Sequence, residues 1–316
     1  MENTILLLLI LIIIISIIFV LLKIYSKSDI INLSKIGSHE DNSKSIVWEN
    51  KQIYSDDKLI QISELIENTI KNYEPVNSKN SEYLLKTISE SNNISLDGVI
   101  SLRNMIATQK SINSFKKINV NKINNVVNDY KLLSNLTNQN VKQFFKKYDI
   151  PPLKIINILK DNGLKINQKL YQYAEKNDSE NQKSMNIILK NADDFEKNLI
   201  NWIKVKYPSI KFKTQEQLVE EQTKLYGKPF ATPDILFDEP ILITVSDNKS
   251  EITQLIKWID AKNYTLMHIP FIMNSLKNQS EKYLQHFGPG AFAFHYGINK
   301  NINIPNILIL DASFIN

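Results

Sequence analysis

The first feature of the chain is a continuous apolar run near its amino terminus. The eighteen residues 5–22 are apolar except for Ser16. As a helix this run would rise about 27 Å, close to the hydrocarbon core of a bilayer at about 30 Å. The alternative is a cleaved signal peptide, which has a basic start, a shorter apolar core and a small-residue cleavage site. The run lacks these features, so residues 1–27 are predicted to be a single transmembrane anchor.

Charges on either side of the run predict its orientation. Lys23 and Lys27 follow the apolar residues, whereas Glu2 precedes them. Because basic flanks stay on the cytoplasmic side, the rest of the chain is expected in the cytoplasm. The chain has no cysteine, which excludes disulfides and cysteine-based zinc sites.

A polar segment follows the predicted anchor. Residues 28–55 show no sustained period, and residues 28–80 are predicted to be a juxtamembrane linker with one short amphipathic helix. Pro75 marks the break after that helix. Its apolar positions are Leu59, Ile62, Leu65, Ile66 and Ile70.

Residues 81–205 show helical periodicity and predict an all-α domain. Within it, the short connection Asp149-Ile150 between two helices predicts a helix-turn-helix shape. Residues 194–204 predict a further helix. The first helix of the pair carries Val141, Phe144, Phe145 and Tyr148, and the second carries Leu153, Ile156 and Leu159 between Pro151-Pro152 and Gly163.

Residues 206–316 alternate between helical and strand patterns, which predicts an α/β domain. Thr214 is the predicted N-cap and Gly227 the predicted stop of one helix. Strand patterns at residues 240–245 and 256–259 flank a turn, and a second helix covers residues 275–287. Two further apolar strands are predicted at residues 291–296 and 307–310.

Positive charge is concentrated in the helical middle. Seven lysines and two acids lie between Lys142 and Lys169, an excess equal to the net charge of +5 of the whole chain. The single arginine, Arg103, favours contact with phosphates or nucleic-acid shape over the reading of base edges. A solvated lysine face on packed helices explains the same pattern. The candidate nucleic-acid contacts are Lys142, Lys146, Lys147, Lys154 and Lys160.

Two short motifs carry candidate chemistry. Thr232-Pro233-Asp234 precedes one predicted strand and Asp260-Ala261-Lys262 ends the next, so both carboxylates are expected at one sheet edge. Two carboxylates bind a divalent metal, which activates water and neutralises phosphate charge. A lysine beside them stabilises developing charge. Glu220 or Glu221 on the preceding helix is a candidate third carboxylate.

In this order the motifs resemble the PD-(D/E)XK nuclease superfamily, in particular its Thr-Pro-Asp branch, which includes the codanin-interacting nuclease. The matching residues are Thr232-Pro233-Asp234, Trp258-Ile259-Asp260-Ala261-Lys262, Gln279 with Tyr283, Phe287-Gly288-Pro289-Gly290 and His295-Tyr296-Gly297. The resemblance covers residues 206–316 and implies a restriction-endonuclease-like core of αβββαβ type.

The resemblance also implies roles for individual residues. Asp234 and Asp260 would bind the metal together with the Ala261 carbonyl. Lys262 would be the catalytic lysine, and Gln279 would orient that lysine or a phosphate. The helix glutamate stays ambiguous between Glu220 and Glu221, with Glu221 preferred as a catalytic and metal-binding residue on its spacing to Gly227.

Together these features predict a membrane-anchored nuclease that hydrolyses phosphodiester bonds with Mg²⁺ or Mn²⁺. The expected substrate is DNA, cut internally and recognised by its structure rather than its sequence. The alternative is a catalytically silent nuclease fold that tethers nucleic acid or a protein partner to a membrane. Metal-dependent cleavage separates the two.

Overall fold

The computed structural model describes residues 45–178, 182–247 and 251–315. All of these residues fall in one compact unit. Within those ranges, no helix combines the length and the apolar character needed to cross a membrane. The predicted anchor, residues 5–22, lies outside the described residues.

Helices dominate the first two thirds of the described chain, and strands dominate the last third. The helices are α1 (Asp56–Glu67), α2 (Lys79–Asn92), α3 (Leu96–Lys116), α4 (Val120–Lys131), α5 (Asn138–Lys146), α6 (Pro152–Asp161), α7 (Gln168–Asn177), α8 (Gln182–Lys206), α9 (Gln215–Tyr226) and α10 (Pro270–Phe287), with a 3₁₀ helix at Asn68–Tyr73. The strands are β1 (Ser45–Glu49), β2 (Ile53–Tyr54), β3 (Phe212–Thr214), β4 (Ile235–Ser246), β5 (Glu251–Lys262), β6 (Gly290–Phe294), β7 (Ile298–Asn299) and β8 (Ile307–Asp311).

The main sheet is mixed and has the strand order β1-β4-β5-β6-β8, with β3 paired to the start of β4. The hairpin of β4 and β5 is antiparallel, whereas β5, β6 and β8 run parallel to one another. Parallel neighbours need a crossover, and α10 lies in the connection between β5 and β6. A small parallel sheet joins β2 to β7. This architecture confirms the predicted mixed α/β class.

The main sheet separates two hydrophobic cores, because successive strand residues point to opposite faces. On β6, Phe292 and Phe294 belong to the core that contains residues of α1, α2, α3 and α10. Ala291 and Ala293 belong to the core that contains residues of α8. The small alanines leave room for α8 to lie close to the sheet, which brings its polar residues near β5.

The register between β5 and β6 depends on Gly290. A Cβ at this position would lie 2.0 Å from a ring carbon of Trp258. Trp258 is fully buried, and its indole N–H donates to the Gly288 carbonyl at 2.9 Å. Glycine therefore allows the pairing that places Asp260 opposite Phe292.

Helices α4 to α7 enclose a third core of their own, which includes Val126, Phe144, Ile156 and Leu170. The two helices predicted on either side of Asp149-Ile150 are present as α5 and α6. Gly163 has φ of +74° just after α6, a conformation that glycine adopts without strain.

The described chain corrects the predicted linker of residues 28–80. β1 lies inside that range and pairs with β4 in parallel. Its residues alternate between exposed and buried, and the buried Trp48 donates to the Asp311 carbonyl at 2.7 Å. Five alternating residues are too short a pattern to stand out in a polar segment. From Ser45 onward the chain is therefore part of the folded unit.

The predicted helix ends agree with the structure where local capping sets them. α9 starts after the N-cap Thr214, and its C-cap Gly227 has φ of +77°. α10 begins at Pro270 rather than near residue 275. Proline is favoured in the first turn of a helix, where its missing N–H has no helical partner to lose.

Candidate active site

Asp260 and Lys262 lie near the end of β5, and their spacing of two puts both side chains on one face. Only 5% of the Asp260 side chain and 14% of the Lys262 side chain are exposed. Lys262 Nζ pairs with Asp260 Oδ1 and lies 5.1 Å from the centre of the Phe292 ring. The ion pair and the ring together hold the ammonium in place.

Gln279 on α10 joins both members of this pair. Its Oε1 accepts from Lys262 Nζ at 2.8 Å, and its Nε2 donates to Asp260 Oδ2 at 2.8 Å. The same Nε2 lies 3.1 Å from the hydroxyl of Tyr283, one helical turn later. The crossover helix thereby fixes the orientation of the lysine and the carboxylate.

Asp234, directly before β4, brings the second motif to the same place. It is 7% exposed, and its Oδ2 accepts the Ala261 N–H at 2.6 Å. Burial, followed by the negative charges of Asp260 and Glu196, raises the pKa of Asp234 to about 8. In the metal-free protein this carboxyl therefore holds a proton at neutral pH, and a nearby cation would favour its ionised form.

A further acid, Glu196 on α8, acts electrostatically on Asp234, although the sequence motifs did not indicate it. Burial, followed by the charges of Glu216 and Asp260, raises the pKa of Glu196 to about 7. The sequence does carry a signal for Glu196. It lies between Phe195 and Leu199, two apolar residues at helical spacing, and both are buried. A carboxylate beside the core-facing stripe of a helix is a candidate functional group.

The structure does not bring Glu220 or Glu221 into this group. Glu221 pairs with Lys213 at 2.5 Å, and 45% of its side chain is exposed. Glu220 is exposed as well. The buried residues of α9 are Leu218 and Gln222, so the two glutamates lie outside its inward face. The structure therefore places Glu221, the predicted catalytic and metal-binding glutamate, outside the group, whereas Glu196 of α8 acts electrostatically on Asp234.

α9 instead fixes the chain that leads to Asp234. The buried Gln222 accepts the N–H groups of Phe230 at 2.8 Å and Ala231 at 3.1 Å through Oε1. Its Nε2 donates to the Ala231 carbonyl at 2.5 Å. One side-chain amide thus satisfies three backbone groups, and the backbone before Thr232 is held against α9.

The carboxylates suit a divalent cation chemically. Within the described residues, no group of three or more histidines or acids meets the requirements of a metal site. Asp234 and Asp260 nevertheless present hard oxygen ligands, which Mg²⁺ and Mn²⁺ prefer. Burial, followed by the negative charges of Asp260 and Glu196, raises the pKa of one of them, Asp234. Ala261, the predicted carbonyl ligand, lies between Asp260 and Lys262 on β5.

The five candidate nucleic-acid lysines have different surroundings in the α4–α7 bundle. Lys142 and Lys146 are exposed. Lys147 pairs with Asp129. Lys154 lies 4.7 Å from the Phe115 ring centre and Lys160 lies 5.0 Å from that of Tyr171. Three of the five side chains therefore have partners within the protein.

These contacts define a mixed α/β protein with a largely buried Asp–Asp–Lys–Gln group where β4 begins and its neighbour β5 ends. The chain belongs to the TPD sequence-motif family, described as "Protein of unknown function TPD sequence-motif", which matches residues 160–313. Uncharacterized protein L539 of Acanthamoeba polyphaga mimivirus is 31% identical over 287 residues, which span 86% of this chain and 96% of that protein. No solved structure matches the chain. The matched family range includes the Asp–Asp–Lys–Gln group and Glu196.

Proposed function

We propose that the protein is a metal-dependent nuclease of the PD-(D/E)XK type. The observation that carries this proposal is the group of Asp234, Asp260 and Lys262, in which Gln279 joins Asp260 to Lys262 and the Ala261 N–H donates to Asp234. Lys262 already pairs with Asp260, so ionising Asp234 beside that pair, out of water, is costly unless a further cation compensates it. Acids with shifted pKa values in such surroundings are typical of catalytic sites.

Asp234 and Asp260, with the Ala261 carbonyl, would hold Mg²⁺ or Mn²⁺. When bound, the metal supplies an activated water and stabilises charge on the phosphate. Lys262 places a positive charge where the phosphate oxygens gain negative charge. Gln279 keeps the ammonium in position, because its carbonyl oxygen accepts a hydrogen bond from Lys262 Nζ.

Glu196 would act as the proton acceptor of the reaction. Its pKa of about 7 is suited to taking a proton at neutral pH and giving it back. Its carboxylate would remove the proton from a water that attacks the phosphorus. This assignment replaces the role that the sequence analysis gave to Glu221.

The proposed substrate is DNA, cut internally and recognised by structure. The lysines of α5 and α6 support contact with phosphates, and the single arginine supports recognition without base reading. We also propose that residues 5–22 anchor the protein in a membrane, with the body in the cytoplasm, on the evidence of the apolar run and its flanking lysines.

Cleavage of duplex and branched DNA by the full-length protein, titrated with Mg²⁺ or Mn²⁺, tests the nuclease. Asp260→Asn and Lys262→Ala should each lower the rate about 100- to 1000-fold, because each removes one electrostatic group from the site. Asp260→Asn should also weaken metal binding, whereas Lys262→Ala should leave it intact. Glu221→Gln is the matched control, since it removes an exposed carboxylate outside the group.

Two outcomes would count against the proposal. Equal cleavage by the wild type and both site variants would assign the activity to another site or to a contaminant. Absence of cleavage with every metal and substrate, while DNA binding persists, would favour a scaffold that tethers nucleic acid or a partner to a membrane.

A further inference from the structure

An exposed aromatic surface is formed by the segments that lead into and out of the candidate active site. Tyr226 is 64% exposed and Phe230 is 37% exposed, and His286 is exposed as well. The Phe230 ring centre lies 5.3 Å from that of Tyr226 and 4.8 Å from that of His286. We refer to Tyr226, Phe230 and His286 as the aromatic platform. Aromatic rings are normally buried in a core, so three that meet at a surface need an explanation.

The platform is close to the catalytic group along two different segments. Phe230 precedes Asp234 by four residues. His286 follows Gln279 by seven residues on α10, which is two turns on the same helical face and about 10 Å along the axis. A strand of nucleic acid bound at Asp234 and Asp260 would therefore pass the platform within a few nucleotides, since nucleotides in one strand are about 3.4 Å apart along a duplex axis.

The ring of Phe230 is presented from a fixed backbone. The buried Gln222 accepts the Phe230 N–H and makes two further hydrogen bonds to Ala231. A ring with a fixed backbone loses little conformational entropy when it stacks on a ligand. Specific hydrogen bonds therefore hold the backbone that carries the exposed Phe230 ring.

The charge around the platform suits phosphates. Residues 222–233 include Lys224 and Lys228 but no acid. On α10, Lys282 lies 5.2 Å from the Tyr283 ring centre. The nearby acid Glu281 pairs with Lys277 at 3.9 Å. Lysines interleaved with exposed rings are the pattern of single-strand nucleic-acid binding surfaces, where bases stack and phosphates meet basic side chains.

We infer that the aromatic platform binds an unpaired, single-stranded segment of nucleic acid next to the cleavage site, with a base stacked on Phe230. This inference rests on the proposed nuclease and adds a substrate class to it. The substrate would be a nucleic acid with exposed bases near the scissile phosphate, such as a junction, a flap or a single strand.

The test is the affinity of the full-length protein for a labelled 12-nucleotide oligothymidylate in EDTA, measured by fluorescence anisotropy. Phe230→Ala should weaken binding about 5- to 150-fold, the range found when a base-stacking aromatic residue is replaced by alanine. Phe230→Leu should weaken it as well, because it keeps an apolar side chain of similar bulk and removes the ring. Lys224→Gln should lower the slope of log affinity against log salt by about 0.7, the value of one phosphate contact to a single strand.

Two controls separate stacking from loss of fold. Tyr83→Ala removes an aromatic residue that is 71% exposed on α2, away from the platform in sequence, and should bind as the wild type. An abasic oligonucleotide of the same length keeps the phosphates and lacks the bases. Phe230→Ala should bind this abasic strand as the wild type does.

Equal affinity of the wild type and Phe230→Ala for oligothymidylate would overturn the inference and leave the platform to a protein partner. Equal weakening for the normal and abasic strands would also overturn it.

The assay contains no metal, so its result is independent of catalysis. Binding that depends on Phe230 without any cleavage would refute the nuclease alone. If cleavage depends on Asp260 but Phe230→Ala binds oligothymidylate as tightly as the wild type, the platform alone would be refuted.

Discussion

At the scale of single residues, carboxylates of the same type ionise differently because their surroundings differ. Hydrogen bonds from Asn301 and Asn299 lower the pKa of the half-buried Asp56. Burial, followed by the charges of neighbouring acids, raises the pKa of Asp234 to about 8. The same kind of environment raises the pKa of Glu196 to about 7. Two carboxyl groups of the candidate site thus hold protons that free carboxyl groups would release near pH 4.

This difference predicts how stability depends on pH without metal. The folded protein keeps the protons of Asp234 and Glu196 that the unfolded chain releases near pH 4, so it binds more protons between about pH 4 and 8. The free energy of unfolding should therefore fall as the pH rises through this window. Asp234→Asn, which cannot ionise, should reduce that fall and be more stable than the wild type at pH 8.

Urea denaturation in EDTA at pH 5 and pH 8 would measure the effect. The two proteins should differ more at pH 8 than at pH 5. Glu221→Gln is the control, since that side chain is exposed and paired with Lys213. An equal stability difference at both pH values would contradict the assigned ionisation of Asp234.

At the scale of elements, α8 and α9 exchange the roles that the sequence suggested. α9 was expected to supply an acid, but its buried Gln222 supplies backbone support for the Thr-Pro-Asp segment. The acid, Glu196, comes from α8 instead. Phe195 and Leu199 pack α8 against the sheet, and Glu196 lies beside them on the same helix. The apolar residues of each helix decide which of its faces packs on the core. The positions of its polar residues are then set by that orientation.

The helix pair α5 and α6 carries the prediction for nucleic-acid binding. Lys142→Gln combined with Lys146→Gln should lower the slope of log affinity for duplex DNA against log salt by up to about 0.9 per lost phosphate contact. Both side chains are exposed, so the stability of the protein should change little. The measurement is DNA binding between low and moderate salt.

The matched control replaces Lys79 and Lys86 by glutamine. Both lysines belong to α2, outside the α4–α7 bundle, and their loss removes the same charge. If the two double variants change the slope equally, the lysines of α5 and α6 act only through net charge. A solvated lysine face would then explain their excess.

At the scale of the whole molecule, hydrogen bonds connect the first described strand, β1, and the residues just after it to the last strand, β8. The carboxylate of the buried Asp311 accepts the backbone N–H groups of Lys51 at 2.8 Å and Gln52 at 2.7 Å. Trp48 donates to the Asp311 carbonyl. The described chain is therefore tied near its start, at residues 48–52, to the sheet that carries the site.

Membrane association is the prediction that belongs to this scale. The full-length protein should stay with membranes through high salt and carbonate washing, because eighteen apolar residues match the thickness of a bilayer core. A chain that begins at Ser28 should be released. Extraction of the full-length protein by carbonate would contradict a spanning segment, and protease accessibility in sealed vesicles would test its orientation separately.

The sequence by itself determined the features that depend on near neighbours. Thr214 and Gly227 delimit α9 because a capping hydroxyl and a left-handed glycine act within one helical turn. Asp260 and Lys262 share a face because strands alternate with period two. The mixed α/β class and the helix-turn-helix pair follow from the same short-range periods.

Only the tertiary structure decided which distant segments meet. Glu196, 38 residues before Asp234, acts electrostatically on that aspartate because α8 packs against the sheet. β1 pairs with β4 across almost two hundred residues, although its five-residue pattern is weak. No local pattern encodes such contacts. They depend on which arrangement of distant helices and strands packs their apolar surfaces most closely. The effect of Glu196 on Asp234 and the place of residues 45–49 in the sheet were therefore fixed by packing.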